Sequence, residues 1–340
     1  MDASEAAENA LECVLMARKG ESVAIFCDDE KAQIGEAFLN GAVKLGLRTR
    51  FVKLDTEPNE FRTKIPEQLL KVITGSPPDI YINLMRGIRQ ETVFRIELTK
   101  LETKEHKARL GHCPGVTLDM LTEGALALTR YEHKQMQEFA NRLIDKLART
   151  QKIHVTNPAG TNLELSVKGR SFFTDTIVDW KTLNWMNLPT GETLVGPIEN
   201  SLEGALVCDM AIGGIGPIKT PVKLNVKKGS VTASASEDTE ILKQVNDSLK
   251  TDSYSKMVGE FAFGINPKAR FVNEFLEAEK MLHTIHIAFG NNLDFPGGMN
   301  RSKNHMDLLI SAPDVRAFKE DGSSLDILTK GQFQDFGRQS

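Results

Sequence analysis

The chain has 340 residues and a formal net charge of −4, with 40% hydrophobic and 26% charged residues. These values are typical of a globular protein, and the acidic balance predicts no nucleic-acid partner. No apolar run approaches the roughly 20 residues that cross a bilayer, so we expect no membrane partner either.

The beginning of the chain and its cysteines predict a cytoplasmic protein. The first 20 residues are acidic and have a helical pattern, without the basic segment and apolar stretch of a secretion signal. The four cysteines are scattered and form no CxxC pair, as expected for reduced and mostly buried thiols. The sequence therefore favours neither a disulfide framework nor a thiolate zinc site.

Residues 1–150 alternate between strand and helix patterns. Runs at 22–29, 48–55 and 79–85 predict strands, and helical patterns follow them. This alternation predicts right-handed βαβ units, so we expect an α/β domain with a doubly wound, mostly parallel sheet. The domain has no GxGxxG turn or Walker loop, and no nucleotide cofactor is indicated. Asp28 and Asp29, at a strand end, are expected to lie in a solvated loop.

A strong amphipathic helix over 131–150 is predicted to bridge the two halves of the chain, with its His133 solvated. Beyond this helix the pattern changes to short strands. Hairpin turns are predicted at 158–160 and at 228–229.

Two further helices are predicted in the second half, over 237–251 and 271–282. The change of pattern after the bridging helix predicts two domains of different construction. We expect an α/β domain over 1–150, which ends in the bridging helix. We expect a strand-rich α+β domain over 151–340.

The segment 184–204 contains the first candidate ligand. Pro189 and Gly191 predict a turn, and Glu192 opens the short apolar run that follows. A carboxylate at a rigid turn before an apolar strand is well placed to bind a metal. Alone it is weak evidence, because glutamates at strand starts are usually solvated.

The segment 257–312 contains the other candidates. In GEFAFGI, strand alternation places Glu260 on the face opposite the phenylalanines, where a carboxylate is costly unless it is paired or bound to a metal. In HTIHIAFG, His283 and His286 face opposite ways, so only one of them joins a site. In HMDLLI, His305 and Asp307 share a face and are able to bind one ion.

Together these candidates make two imidazoles and three carboxylates, namely Glu192, Glu260, His286, His305 and Asp307. One ion needs three or four protein ligands, so five suit two divalent ions bridged by a carboxylate, as in two-metal hydrolases. The absence of a thiolate favours Zn, Co or Mn.

Two carboxylates are candidates for the proton shuttle of a metal-assisted hydrolysis. Glu192 and Glu279 are both near the predicted ligands in sequence, and the sequence does not separate them. Glu279 is also compatible with the solvent face of a helix, or with a hydrogen bond that orients a ligand.

Five segments resemble the thermophilic aminopeptidase family, the group of aminopeptidases T and S. They are NPAGTNLELSV, NLPTGETLVGP, VGEFAFGINPKA, LEAEKMLHTIHIAFGNN and NHMDLLI. The resemblance implies an N-terminal α/β domain, a C-terminal catalytic domain, a two-ion exopeptidase site and a homodimer. It also implies a peptide or small amide as substrate. By motif, the family's ligands fall on Glu192, Glu260, His286, His305 and Asp307.

The chain departs from the family at one position. Aminopeptidases of the family carry a tyrosine near the metals, where this chain has Leu293, and no tyrosine follows Tyr254. A phenol at this position would bind metal or hold a transition-state oxyanion. Its absence therefore bears on peptidase activity more than on metal binding.

Two alternatives to a peptidase follow from the same residues. The family's fold also resembles that of a ring-cleaving 2,5-dihydroxypyridine dioxygenase with mononuclear non-haem iron. His286, His305 and Asp307 are suited to an iron(II) triad of that type. A specialised or inactive family member that only binds metal is the other alternative.

Overall fold

The computed structural model describes residues 1–104, 108–179 and 183–334. The chain divides into two compact units. The first consists of Met1–Gln137, Asp175–Thr190 and Lys268–Arg270, and the second of Glu138–Thr174, Gly191–Pro267 and Phe271–Ser340. Across the described residues, no helix combines the length and apolar character that spanning a membrane requires.

The first unit is built on a five-stranded parallel sheet in the order β2-β1-β3-β4-β8. Its central strands are apolar and buried, as expected for a parallel sheet that helices cover. The strands are β1 Ser22–Asp28, β2 Arg48–Leu54, β3 Ile80–Leu84, β4 Arg109–His112 and, later in the chain, β8 Trp185–Asn187.

The helices of this part of the chain present apolar faces to the sheet. Phe94 and Leu98 pack in one core cluster with Phe26 and Tyr81 from the strands. The helices are α1 Ala3–Cys13, α2 Ala32–Lys44, α3 Glu67–Gly75, α4 Thr92–Glu102, α5 Leu118–Thr122 and α6 Arg130–Leu147. The last of these helices begins in the first unit and continues into the second.

The second unit contains an eight-stranded antiparallel sheet in the order β14-β13-β10-β6-β5-β18-β19-β20. Both predicted hairpins belong to it, and α7 Thr239–Leu249 is the predicted helix after the second hairpin. The strands are β5 Thr150–Thr156, β6 Asn162–Ser166, β10 Glu203–Cys208, β13 Val222–Lys227, β14 Ser230–Ala235, β18 Asp314–Lys319, β19 Ser324–Thr329 and β20 Gln332–Phe333.

A seven-stranded antiparallel sheet in the same unit has the order β12-β11-β17-β16-β15-β9-β7. Its three central strands are buried along most of their length. The strands are β7 Phe173–Thr174, β9 Glu192–Val195, β11 Ala211–Ile212, β12 Gly216–Pro217, β15 Val258–Gly264, β16 Ile285–Gly290 and β17 His305–Ile310.

The helix predicted over 271–282 is wrong in extent. Only α8 Phe275–Ala278 forms, followed by a turn. The amide of Asn266 donates to the carbonyl of Lys280 at 2.9 Å, and Met281 pairs with Asn266 in a short parallel bridge. These contacts to a distant part of the chain override the local helical pattern.

Two further expectations about exposure are wrong. Asp28 is fully buried, because Arg62 Nη2 and the amide of Arg86 both donate to its Oδ2 at 2.7 Å. His133 on α6 is 1% exposed and does not lie on a solvated face. The partners that allow Asp28 to be buried come from elsewhere in the fold, and sequence periodicity does not reveal them.

Candidate metal centre

The predicted ligands come together on one face of the seven-stranded sheet. Residues directly opposite each other on paired strands point to the same face. Ala288 of β16 stands opposite both Glu260 of β15 and Asp307 of β17, and His286 stands opposite Ala262. Strand alternation then adds His305 to the same face as Asp307.

Glu192 enters from the edge of this group, at the start of β9, where it pairs with Gly264 of β15. The chain reaches this position through Gly191, whose φ is +140°. A Cβ atom on Gly191 would lie 2.4 Å from the Cβ of Asn266, so the approach of these two segments requires glycine.

The two histidines contact the carboxylates at short range. His286 Nε2 lies 3.4 Å from Glu192 Oε1 and 3.5 Å from Glu260 Oε1. His305 Nε2 lies 3.1 Å from Glu260 Oε2 and 3.2 Å from Asp307 Oδ1. The two oxygens of Glu260 therefore face two different imidazoles. Two ligands of a tetrahedral zinc ion, each bonded at about 2.1 Å, lie about 3.4 Å apart, close to these separations.

The ligand atoms form two overlapping groups, each with its atoms within 4.8 Å of one another. We name the first, Glu192, Glu279 and His286, the lysine-side group, because Lys280 contacts two of its members. We name the second, Glu260, His286 and Asp307, the histidine-side group. His305 extends the histidine-side group through its contacts with Glu260 and Asp307. The shared member is His286.

Burial makes the charges of this centre interdependent. Burial raises the pKa of Glu260, but hydrogen bonds with His286 and His305 outweigh it and hold the pKa well below its usual range. Burial lowers the pKa of His286, while Glu192, Glu260 and Asp307 raise it to about 10. Imidazoles and carboxylates thus stabilise each other's charges.

A buried lysine, which sequence analysis did not identify, completes the lysine-side group. Lys280 is 2% exposed, and its Nζ lies 2.7 Å from Glu192 Oε2 and 2.9 Å from Glu279 Oε1. Burial raises the pKa of Glu279, while the charge of Lys280 lowers it. The available signal in the sequence was the glutamate–lysine pair of LEAEKML, in which the sequence left Glu279 open between the solvent face of a helix and a hydrogen bond that orients a ligand.

Glu279 itself, one of the two predicted proton carriers, is 7% exposed and close to the ligands. His283 precedes β16 and has a φ of +73°, and its ring packs 6.0 Å from that of Phe333. It belongs to neither ligand group.

Leu293, where the resemblance predicts a difference from the family, belongs to a segment that lies beside the centre. Leu293 is 42% exposed, and Asn292 donates to Glu199 Oε1 and to the carbonyl of Gly259, at 3.2 Å each. The ring of Phe295 lies 6.5 Å from that of His305. The segment 291–295 therefore contains amide, carboxylate and apolar side chains but no phenol.

Comparisons with known proteins agree with this architecture. The model of the thermophilic metalloprotease (M29) family matches residues 129–333, more than half of the chain. Wild-type AmpT from Thermus thermophilus has a TM-score of 0.66 at 17% sequence identity, over 97% of this chain and 98% of that chain. The 2,5-dihydroxypyridine dioxygenase from Pseudomonas putida KT2440 has a TM-score of 0.65 at 15% identity, over 98% and 97%. No curated protein matches the chain.

At these identities the two solved structures establish the fold. The predicted combination of an α/β region with a parallel sheet and a strand-rich α+β region is confirmed. The segment that the family model matches includes the whole candidate centre.

Proposed function

The chain belongs to the thermophilic metalloprotease (M29) family and is a metallopeptidase-type hydrolase, and from this premise we propose that it is an aminopeptidase, which releases N-terminal residues from peptides or small amides. The observation that carries this proposal is the position of Glu260. Its two carboxylate oxygens face His286 and His305 at 3.5 and 3.1 Å. A buried carboxylate that spans two imidazoles is suited to bridging two divalent ions.

The donor set fits such ions. It consists of carboxylate oxygens and imidazole nitrogens, which Zn, Co and Mn accept, and it contains no thiolate. Divalent ions bound here would lower the pKa of a water molecule toward ~7 and polarise the scissile carbonyl. We propose Glu192, Glu260, His286, His305 and Asp307 as the residues that hold two ions.

We propose that Glu279 is the residue that carries the proton from the attacking water to the leaving amine. The family motif places Glu192 among the ligands, and its Oε1 faces His286 at 3.4 Å. Glu279 lies in the same buried group without being a motif ligand. A carboxylate within reach of the reacting atoms, but not required to hold an ion, is free to exchange a proton.

An iron(II) dioxygenase is the second candidate, because His286, His305 and Asp307 form a set of two histidines and one carboxylate. The extra carboxylates argue against it. Glu260 lies between the two histidines and Glu192 faces His286, so the centre holds more negative charge than a single ferrous triad needs.

The first experiment is elemental analysis of the purified protein beside an assay with aminoacyl anilides. About two equivalents of Zn, Co or Mn and cleavage of free but not acetylated substrates are the expected results. One equivalent of iron with ring cleavage of a dihydroxypyridine under oxygen would replace the peptidase proposal by the dioxygenase.

His305→Ala tests the ligand assignment. It should lower metal content and activity together, because His305 Nε2 contacts two of the proposed ligands. His154→Ala is the matched control, since His154 lies on β5 and contacts Asn162. Full activity and full metal content in His305→Ala would remove His305 from the centre.

The homodimer and the cytoplasmic location belong to the same proposal. Light scattering coupled to gel filtration measures the first, and cell fractionation measures the second. A monomer that retains full peptidase activity would separate the catalytic proposal from the dimer.

A further inference from the structure

Lys280 lies against the lysine-side group, where one of the two proposed ions would bind. Its Nζ contacts Glu192 Oε2 and Glu279 Oε1 at 2.7 and 2.9 Å, and these are two of the three members of the lysine-side group. The side chain is 2% exposed. Its backbone is fixed as well, because the Lys280 carbonyl accepts a hydrogen bond from the amide of Asn266. Side-chain and backbone contacts thus both hold the ammonium group within the centre.

The other side of the centre has no such neighbour. Among the described residues, Glu260 and Asp307 form their ion pairs with His286 and His305. Both imidazoles belong to the proposed ligand set, so the carboxylates of this side face other ligands. On the lysine side, Lys280 Nζ donates to Glu192 Oε2 at 2.7 Å and lies outside that set. An ion on the lysine side would therefore lie beside a cation that already holds one of its ligands.

Two cations that depend on one carboxylate, here that of Glu192, repel each other strongly in a buried site, where the effective dielectric constant is far below that of water. We propose that Lys280 makes the two ion positions unequal. The histidine-side position binds its ion tightly, and the lysine-side position binds weakly and exchanges its ion with solution. This inference rests on the proposed two-ion function and adds a role for a residue outside the ligand set.

The test measures binding of Zn²⁺ by equilibrium dialysis with elemental analysis, over a range of free metal concentrations. The wild-type protein should take up two equivalents whose dissociation constants differ by at least about tenfold. Lys280→Met should tighten the weaker equivalent by at least about tenfold and leave the tighter one within about threefold of its wild-type value.

Three further variants make the result interpretable. Lys280→Gln also removes the charge but still donates to one carboxylate, and it replaces Lys280→Met if that variant does not fold. Glu192→Gln should abolish the weaker equivalent, which identifies its position. Lys243→Met is the matched control, because Lys243 pairs with Asp247 on the exposed face of α7 and its removal should change neither constant.

Equal affinities in the wild-type protein would overturn the inference. Weaker binding of the second equivalent in both Lys280 variants than in the wild-type protein would also overturn it. That result would mean that Lys280 orients Glu192 rather than competes with an ion. A different outcome would refute the proposed aminopeptidase function. Two unequal equivalents without cleavage of any aminoacyl substrate would refute the aminopeptidase and leave the role of Lys280 standing, whereas no metal in any variant would refute both.

Discussion

A buried ion network in the first unit allows a quantitative prediction about stability. Glu91 is fully buried and accepts hydrogen bonds from two arginines. Its oxygens lie 2.6 Å from Arg62 Nη2 and 2.6 Å from Arg86 Nη2. Arg62 also holds Asp28. Glu91→Gln removes the charge and keeps the shape of the side chain.

The magnitude follows from the pKa of Glu91. Burial raises this pKa, but hydrogen bonds from Arg62 and Arg86 outweigh burial and lower it from 4.5 to about 2. A shift of this size corresponds to about 3 kcal/mol of stability at neutral pH. Breaking a buried ion pair typically costs about 3–5 kcal/mol, so two independent arguments agree.

The sign of the pH dependence is fixed by the direction of the shift. Because the folded-state pKa is depressed, the contribution is fully present above pH 4.5 and is lost as the pH falls toward 2. The free energy difference between wild type and Glu91→Gln should therefore be about 3 kcal/mol at pH 7 and shrink steadily below pH 4.5.

Urea unfolding followed by tryptophan fluorescence measures this difference, since Trp185 lies in β8 of the first unit. Glu97→Gln, on the exposed face of α4, is the matched control and should change stability by less than about 0.5 kcal/mol. A Glu91→Gln variant as stable as wild type at pH 7, or a difference that does not depend on pH, would refute the reasoning.

Three predictions concern the metal centre. Glu279→Gln should lower kcat by about 10²–10⁴-fold in steady-state kinetics while both metal equivalents remain, whereas loss of metal in this variant would make Glu279 a ligand. Gly191→Ala should displace Glu192 and lower metal content by elemental analysis, because its Cβ would lie 2.4 Å from that of Asn266. Gly169→Ala, also at positive φ but with no atom within 4 Å, should keep its metal, and equal content in the two variants would contradict this account. Dialysis against a chelator should abolish peptidase activity and lower the Tm, and added Zn²⁺ should restore both; activity that survives complete metal removal would exclude a metal-dependent reaction.

Period-two alternation predicted which face four residues of the candidate centre share. Glu260, His286, His305 and Asp307 lie on strands that are apolar and buried, so the strand assignment followed from composition and the face followed from alternation. The structure brings these residues together because their strands are neighbours in the sheet. Alternation alone did not predict the order of the strands in the sheet.

The unpredicted features depend on contacts between distant segments. Lys280 is buried because the chain turns after α8, and that turn is fixed by Asn266. Asp28 is buried because Arg62, from a loop 34 positions later, covers it. A local pattern predicts that a charged residue is solvated unless its partner is known, and the partner is a property of the fold.

The same strands contain a second signal, in the residues that leave space around the ligands. Each proposed ligand has an alanine or a glycine directly opposite on a neighbouring strand. Ala288 faces both Glu260 and Asp307, and Ala262 faces His286. Glycines complete the set, with Gly290 opposite His305 and Gly264 opposite Glu192.

Two adjacent antiparallel strands thus repeat one pattern of ligand, alanine and glycine at alternate positions, over 260–264 and over 286–290. The glycine is also required by packing, since a Cβ on Gly264 would lie 2.0 Å from the carbonyl oxygen of Met281. Larger side chains on this face would fill the volume between the carboxylates, where the proposed function places the ions and the substrate carbonyl. An acid or histidine followed by small residues at period two, in a strand that is otherwise large and apolar, therefore indicates a metal centre more strongly than the charged residues do alone.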